Sequence, residues 1–286
     1  MEILEFEVRR ATIFDYSSLY EFYEKVYPTN HPLKNIDFWK WQYGNPDYGT
    51  AYIVIKNNRV HGHVGAYYSD GLAWIINVYL DDEIRGKGYL SQMYNLARDD
   101  YQYLGATSAN SAGLGLYRNM GWIRYSNLER FLLINPAFMN DDITQIISPT
   151  QKFTLLSPSG NHYWEQPGIN GHQLEDGTIG NMQFEIGGFR IIDIKDTKKA
   201  IEGLWSLGVK WCDFVTSWND KKITLLQKDG WLSNNEMKFP WYLNPIDINK
   251  QFNVSFLTEN PLKNDFVCRR YNSDHGRVGT LPNKKD

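Results

Sequence analysis

Asp81-Asp82-Glu83-Ile84-Arg85-Gly86-Lys87-Gly88 is the stretch on which the reading of this sequence turns. It follows a strand-like run, Ala73 to Leu80, and precedes a helical pattern from about Tyr89 to Gln102 in which Met93, Leu96 and Ala97 face one side. A glycine-rich turn therefore joins a strand to a helix. The first turn of a helix leaves its N–H groups unpartnered at the positive end of the peptide dipoles, so such a junction attracts phosphate oxygens. Gly86 and Gly88 permit unusual dihedrals and close approach to a pyrophosphate, and Arg85 and Lys87 add two charges able to pair with it. Two other phosphate motifs do not fit: a Walker A lysine is followed by Ser or Thr, where Gly88 stands, and the dinucleotide fingerprint needs a third glycine, where Ser91 stands. Taken alone, the same letters also describe a solvated basic turn.

Outward from the turn, the elements alternate in type. Phe6 to Arg10 reads as a strand, Asp15 opens a helix carrying Leu19, Phe22, Tyr23 and Val26, and a second helix carries Phe38, Trp39 and Trp41 up to Asn45-Pro46. Tyr52 to Ile55, Val60 to Tyr68 and Ala73 to Leu80 form a three-stranded meander joined by Asn57-Asn58 and Asp70-Gly71 turns. Beyond the helix come a strand at Gly105 to Asn110, a helix at Ala112 to Asn119 closed by Gly121, and strands at Trp122 to Tyr125 and Arg130 to Ile134. The order is β-α-α-β-β-β-α-β-α-β-β, an α/β chain with a mixed sheet.

The chain has 286 residues, 42% apolar and 15% aromatic, enough for one large domain or two. A formal charge of −3 with scattered Lys and Arg provides no footprint for a nucleic-acid partner. No apolar run reaches the length of a membrane span, and the N-terminal residues lack a signal-peptide pattern, so a cytoplasmic location is expected. Cys212 and Cys268 stand apart from each other and from histidines at zinc spacing. His61 and His63 alternate on one strand without further ligands in the local sequence, so no metal is expected.

With Asn110 and Leu116-Tyr117-Arg118-Asn119-Met120-Gly121-Trp122 added, residues 6 to 135 resemble the GNAT superfamily of acetyl-CoA-dependent N-acyltransferases. That family's motif, Arg or Gln-x-x-Gly-x-Gly or Ala, is met by Arg85 and Gly88, while Leu90 replaces the small residue usual at the end. The resemblance implies acetyl-CoA or another acyl-CoA as co-substrate, with no metal. Its pantetheine would lie between the diverging strands, held by Val78, Tyr79 and Leu80. Arg85, Gly86, Lys87, Gly88, Tyr89 and Leu90 would hold the pyrophosphate, with Asn110 and Tyr117 on the far side. It further implies an amide near Leu80 for the oxyanion and Tyr117 as the acid that protonates the departing thiolate. Relatives place a Glu where this chain has Gly71-Leu72-Ala73-Trp74-Ile75, so His63, Asp70 and a water relay are the candidates for the base. An acceptor amine with a pKa near 8 has a sizeable neutral fraction at pH 7 and needs no strong base.

Residues 135 to 160 read as a connection, placing a catalytic domain at 1–140 and a second domain at 150–286. The second part runs strand (Phe189 to Ile194), helix (Thr197 to Leu207), strand (Trp211 to Thr216), helix (Asn219 to Lys228), and Asp229-Gly230-Trp231 echoes Met120-Gly121-Trp122. It reads as a second domain that helps bind the acceptor, either a degenerate GNAT-like repeat or an unrelated fold; as a repeat it would hold no cofactor, since Asp193 to Thr197 offers no glycine turn. Trp39 and Trp41, together with Asp274 and Arg277, loosely resemble sites in relatives linked to amino-sugar and surface-polysaccharide biosynthesis, because aromatic faces stack on sugar rings. The small-molecule acceptor would then be an amino sugar, with nucleotide linkage favoured. An amino acid, peptide or aminoglycoside amine, and a non-catalytic CoA or carbohydrate binder, are the alternatives, as is a purely structural role for the tryptophans.

Overall fold

In the computed structural model, residues 5–108, 111–138, 154–155, 161–183, 187–233, 254–263 and 265–272 are described. The first part runs β1 (Glu7–Arg10), α1 (Tyr16–Val26), α2 (Ile36–Tyr43), β2 (Gly49–Lys56), β3 (Arg59–Ser69), β4 (Leu72–Leu80), α3 (Tyr89–Asp100), β5 (Leu104–Ser108), α4 (Ser111–Asn119), β6 (Ile123–Asn127) and β7 (Glu129–Ile134). It continues with β8 (Thr154–Leu155), β9 (Gly171–Gln173), β10 (Ile179–Gln183), β11 (Gly188–Asp193), α5 (Thr197–Ser206), β12 (Trp211–Thr216), α6 (Ile223–Lys228), β13 (Leu232–Ser233) and β14 (Ser255–Thr258).

Local chemistry sets many of these boundaries. Asn57 and Asn58 both take positive φ, as do Asp70 and Gly71, so the hairpins β2–β3 and β3–β4 close on two-residue turns whose hand matches the strand twist. The Asn35 side chain caps α2 by accepting from the N–H groups of Asp37 and Phe38. Gly121 and Gly230, with φ of 76° and 82°, end α4 and α6 alike: Trp122 N–H reaches the Tyr117 carbonyl and Trp231 N–H the Leu226 carbonyl, both at 3.0 Å. The repeated Gly-Trp pair is thus the same helix stop used twice.

The strands form two seven-stranded sheets, ordered β1-β2-β3-β4-β5-β14-β6 and β13-β7-β12-β11-β10-β9-β8. Reading the second in reverse gives β8-β9-β10-β11-β12-β7-β13, so each sheet receives its sixth strand from the other half of the chain. β14 pairs antiparallel with β5 and β6, and β7 with β12 and β13. Neither sheet is a contiguous segment, and most of the connection read at 135–160 lies outside the described residues.

Apolar residues form three clusters. Met93, Tyr94 and Ala97 of α3 pack with Val54, Val64 and Ala73 on one face of the first sheet. Its other face holds α1 and α2 through Leu19, Phe22 and Trp39, in a layer that also takes in Leu132, Trp211 and Val215 of the second sheet. On the second sheet's remaining face, α5 and α6 cover Phe189, Ile191 and Phe214. Among the described residues no helix is long and apolar enough to cross a membrane.

Candidate active site

The first sheet opens along β4. β4 pairs with β3 over its length, but with the parallel β5 only where Ala73 and Trp74 meet Leu104 and Gly105. Past Trp74 the two strands part. The register against β3 shifts between His63 and Gly65, and Asn77 takes φ 55° in this bulge, a conformation that an Asn tolerates better than most residues. The Asn77 side-chain amide donates to the Tyr43 hydroxyl at 3.0 Å, and the Asn77 carbonyl accepts from His63 Nδ1 at 2.8 Å. The imidazole therefore carries its proton on Nδ1, and Nε2 is its basic nitrogen, buried without a hydrogen-bond partner among the described residues. Burial lowers the His63 pKa to about 4, so it is neutral at pH 7.

At the end of β4 the chain makes the glycine turn. Gly86 and Gly88 have φ of 74° and 84°, and a Cβ at either would meet no atom within 4 Å. The turn therefore demands glycine for its backbone hand and leaves open space before it. Gly88 is the N-cap of α3 and provides no side-chain acceptor, so the N–H groups of Tyr89, Leu90 and Ser91 keep the free donor positions of a helix start. Arg85 Nε donates to the Leu80 carbonyl at 3.0 Å, its guanidinium pairs with Asp82 at 2.5 Å, and it lies over the Tyr79 ring at 5.7 Å. The turn is in this way tied back onto the strand end. Lys87 is exposed and makes no ion pair among the described residues.

Tyr117 on α4 is 4% exposed and packs on Trp122 with ring centres 4.6 Å apart. The Tyr94 phenol of α3 lies beside it and is pushed well above its usual range, first by burial and then by Tyr117. The structure thus brings Val78, Tyr79, Leu80, Arg85, Gly86, Lys87, Gly88, Tyr89 and Leu90 into one continuous strand-turn-helix surface, with Tyr117 packed against the same helix.

Other predicted residues lie elsewhere. Asp70 lies in the turn before β4, whose extended run from Leu72 to Leu80 spans roughly 26 Å and separates it from the strand end. Its carboxylate accepts from the Tyr271 hydroxyl at 2.5 Å and the Asn272 amide at 2.8 Å. A cavity of about 790 Å3 opens there, with Asp70, Lys263, Arg269 and Tyr271 in its wall. Trp39 is 1% exposed, and Trp41 is 7% exposed and donates to the His162 carbonyl at 2.7 Å. His162 in turn stacks on Trp41 and on Tyr48, so both tryptophans are packed between the first sheet and residues of the second half. Asn110, Asp274 and Arg277 lie outside the described residues.

One group beneath the turn went unread in the sequence. His61 Nδ1 meets Glu83 and lies 3.4 Å from Asp81, while Lys25 of α1 pairs with Asp81 at 2.7 Å. These residues brace the start of the turn against α1. The Asp81 and Glu83 letters were visible, but their convergence on His61 depends on the pairing of β3 with β4.

Residues 16–122 match the model of the Acetyltransferase (GNAT) family. The first half has the GNAT fold. Among solved structures, a putative acetyltransferase from Pyrococcus horikoshii is similar over 92% of each chain, with a TM-score of 0.54 at 13% identity. A probable N-acyltransferase from Enterococcus faecalis V583 gives 0.52 at 10% identity over 88% of this chain and 72% of its own. A GCN5-related N-acetyltransferase from Kribbella flavida gives 0.52 at 12% identity over 78% and 67%. At these identities the likeness is one of fold. No curated protein matches the sequence. The GNAT architecture extends past the matched segment, since the second sheet repeats the strand order of the first and completes a second GNAT-like half.

Proposed function

We propose that the chain is an acyl-CoA-dependent N-acyltransferase acting on a small amine, by direct attack within a ternary complex. The observation that carries this reading is the parting of β4 from β5, which ends in a helix start with glycine for a cap. An extended pantetheine can add to the free edge of β4 as a strand would, and the pyrophosphate then meets the donors of Gly86 to Ser91 and the charge of Arg85 and Lys87.

In this arrangement the bulge at Asn77 turns the backbone of Val78 to Leu80, and a main-chain N–H there stabilises the oxyanion of the attacked thioester. Tyr117 donates a proton to the thiolate as it leaves. The acceptor approaches from the α1–α2 side, where a cavity of about 390 Å3 lies between Asn30, His31 and Lys34 and Pro167 of the second half. His63 lies beside the bulge, and a pKa near 4 makes it a weak base that takes a proton only transiently or through water. An acceptor that arrives neutral needs no more than that.

The acceptor class follows from assay. Amino sugars, free and nucleotide-linked, head the set, with amino acids, peptides and aminoglycosides alongside; thiol release from acetyl-CoA is the readout. Turnover with an amine supports the reading. Saturable CoA binding without turnover on any amine would instead favour a non-catalytic CoA-binding role.

A further inference from the structure

Among the described residues, buried charge on the inner face of the second sheet does not balance. Alternation along the strands sends Arg130 of β7, Arg190 of β11 and Asp213 of β12 to the face that carries Leu132, Trp211 and Val215, away from α5 and α6. Arg270 joins them from the segment after β14. Their exposures are 1%, 7% and 0%, and 5% for Arg270. Arg130 Nε and Arg270 both donate to the same Asp213 oxygen, at 2.7 and 2.8 Å. Two guanidinium groups thus share one carboxylate, with Arg190 as a third buried charge beside them.

The surplus sits on Arg190. It makes no hydrogen bond or ion pair among the described residues, and its Nε, like that of Arg270, is buried without an acceptor. Asp213 turns its Oδ2 to Arg130 and Arg270 and leaves Oδ1 buried without a partner among the described residues, so one carboxylate stands against three guanidinium groups; the other neighbouring carboxylates are engaged. Asp193 on the same strand pairs with Lys195, Lys222 and Arg269. Asp220 accepts from Thr216 and faces Arg269, and Asp70 is held by Tyr271 and Asn272. Across the strand pair, Asn181 gives its amide to the Tyr163 hydroxyl, and its own oxygen has no partner among the described residues. An arginine does not shed its proton at ordinary pH, so burying one without a counter-charge is strongly unfavourable unless an anion arrives to pair with it.

We propose that Arg190 and Arg270, supported by Arg130, form a binding site for an oxyanion, the carboxylate or phosphate group of a small acidic molecule. The planar fork of a guanidinium suits either group, and two such forks around one anion give it both charge and direction. Asp213 anchors Arg130 and Arg270 in place and offsets part of the cluster's charge. The site needs nothing from the glycine turn and is independent of the acyltransferase reading.

The test uses the full chain without acyl-CoA. Inorganic phosphate and, separately, acetate and succinate are titrated by calorimetry and thermal melting, at an ionic strength held constant with chloride. The expected result is a saturable rise in melting temperature with one Arg190-dependent site per chain, because a ligand that binds only the folded state stabilises it. A response that Arg190→Met weakens and Arg85→Ala keeps supports the site; if it is to phosphate alone it assigns a phosphate ligand, and if to the carboxylates alone a carboxylate. Arg190→Met should leave the anion-free protein as stable or more so, since it removes an unpaired buried cation, and should weaken the anion at least ten-fold. Arg270→Met should also weaken it, which provides a second route if one variant fails to fold. Arg85→Ala at the glycine turn should retain the response. No saturable response to any of these anions, or a response kept in Arg190→Met and Arg270→Met and lost in Arg85→Ala, would overturn the proposal.

Discussion

The two halves use the same strand-helix-strand succession and treat its junction in opposite ways. In the first half β4 holds β5 through two residue pairs, and α3 starts on Gly88 with its donors open. In the second half β11 pairs with β12 from Gly188–Trp211 to Ile191–Phe214, and α5 starts on Asp196, whose carboxylate accepts from the N–H groups of Lys198 and Lys199. That cap satisfies the donors a phosphate would use and places a negative charge where a pyrophosphate would sit. An open junction and a self-capped one explain how one architecture, present twice, provides one proposed cofactor cleft. The second half keeps the fold without that opening, shares β7's sheet with the common core and carries a row of buried arginines on its inner face.

The largest effect should come from cutting the chain between the halves. Ending it near residue 145 removes β14, which lies between β5 and β6 with Phe256 fully buried against Trp74. The shortened protein should fail to give a cooperative melt. Next, Gly88→Asp copies the second half's cap into the first. A non-glycine residue at φ 84° is strained and its carboxylate opposes the pyrophosphate, so CoA affinity should fall by about 100-fold or more, near 3 kcal/mol, by calorimetry. His63 predicts a pH dependence of similar size. Its folded pKa lies below its ordinary 6.5, so the unfolded chain binds the extra proton. Stability is full above about pH 6.5, falls as pH drops toward 4 and then levels, by about 3 kcal/mol in denaturant titrations. His63→Gln should flatten that window. Tyr117→Phe should lower kcat by about ten-fold or more with little change in KM if the phenol delivers the proton. Smallest of all, Asp196→Ala should cost about 1 kcal/mol of stability and leave CoA binding untouched.

Much of the first sheet was legible because its signals are local. Asn57-Asn58, Asp70-Gly71 and Gly86-x-Gly88 each mark backbone that ordinary residues avoid, and the helical spacing of Leu19, Phe22 and Tyr23 marks the buried side of α1. The exchange of β7 and β14 was not legible, since the letters of a strand encode its faces and not which sheet it will join. The same limit hid the charge cluster: Arg130, Arg190 and Asp213 lie on the face opposite α5 and α6, and the layer packed on that face, not their letters, buries them. At the proposed active site, the strand-turn-helix residues were readable as a contiguous motif. Asp70 was near them in sequence, and an extended β4 carries it to the other end of the sheet. The aromatic run around Trp39 and Trp41 fits a sugar platform or a core in composition, and burial against His162 is a tertiary fact.

Calorimetric titration of CoA into the wild-type chain, Gly88→Asp and Asp196→Ala addresses the contrast most directly. The account predicts one site per chain in wild type and Asp196→Ala and no measurable binding in Gly88→Asp. Two sites per chain, or binding that survives Gly88→Asp and disappears with Asp196→Ala, would contradict it.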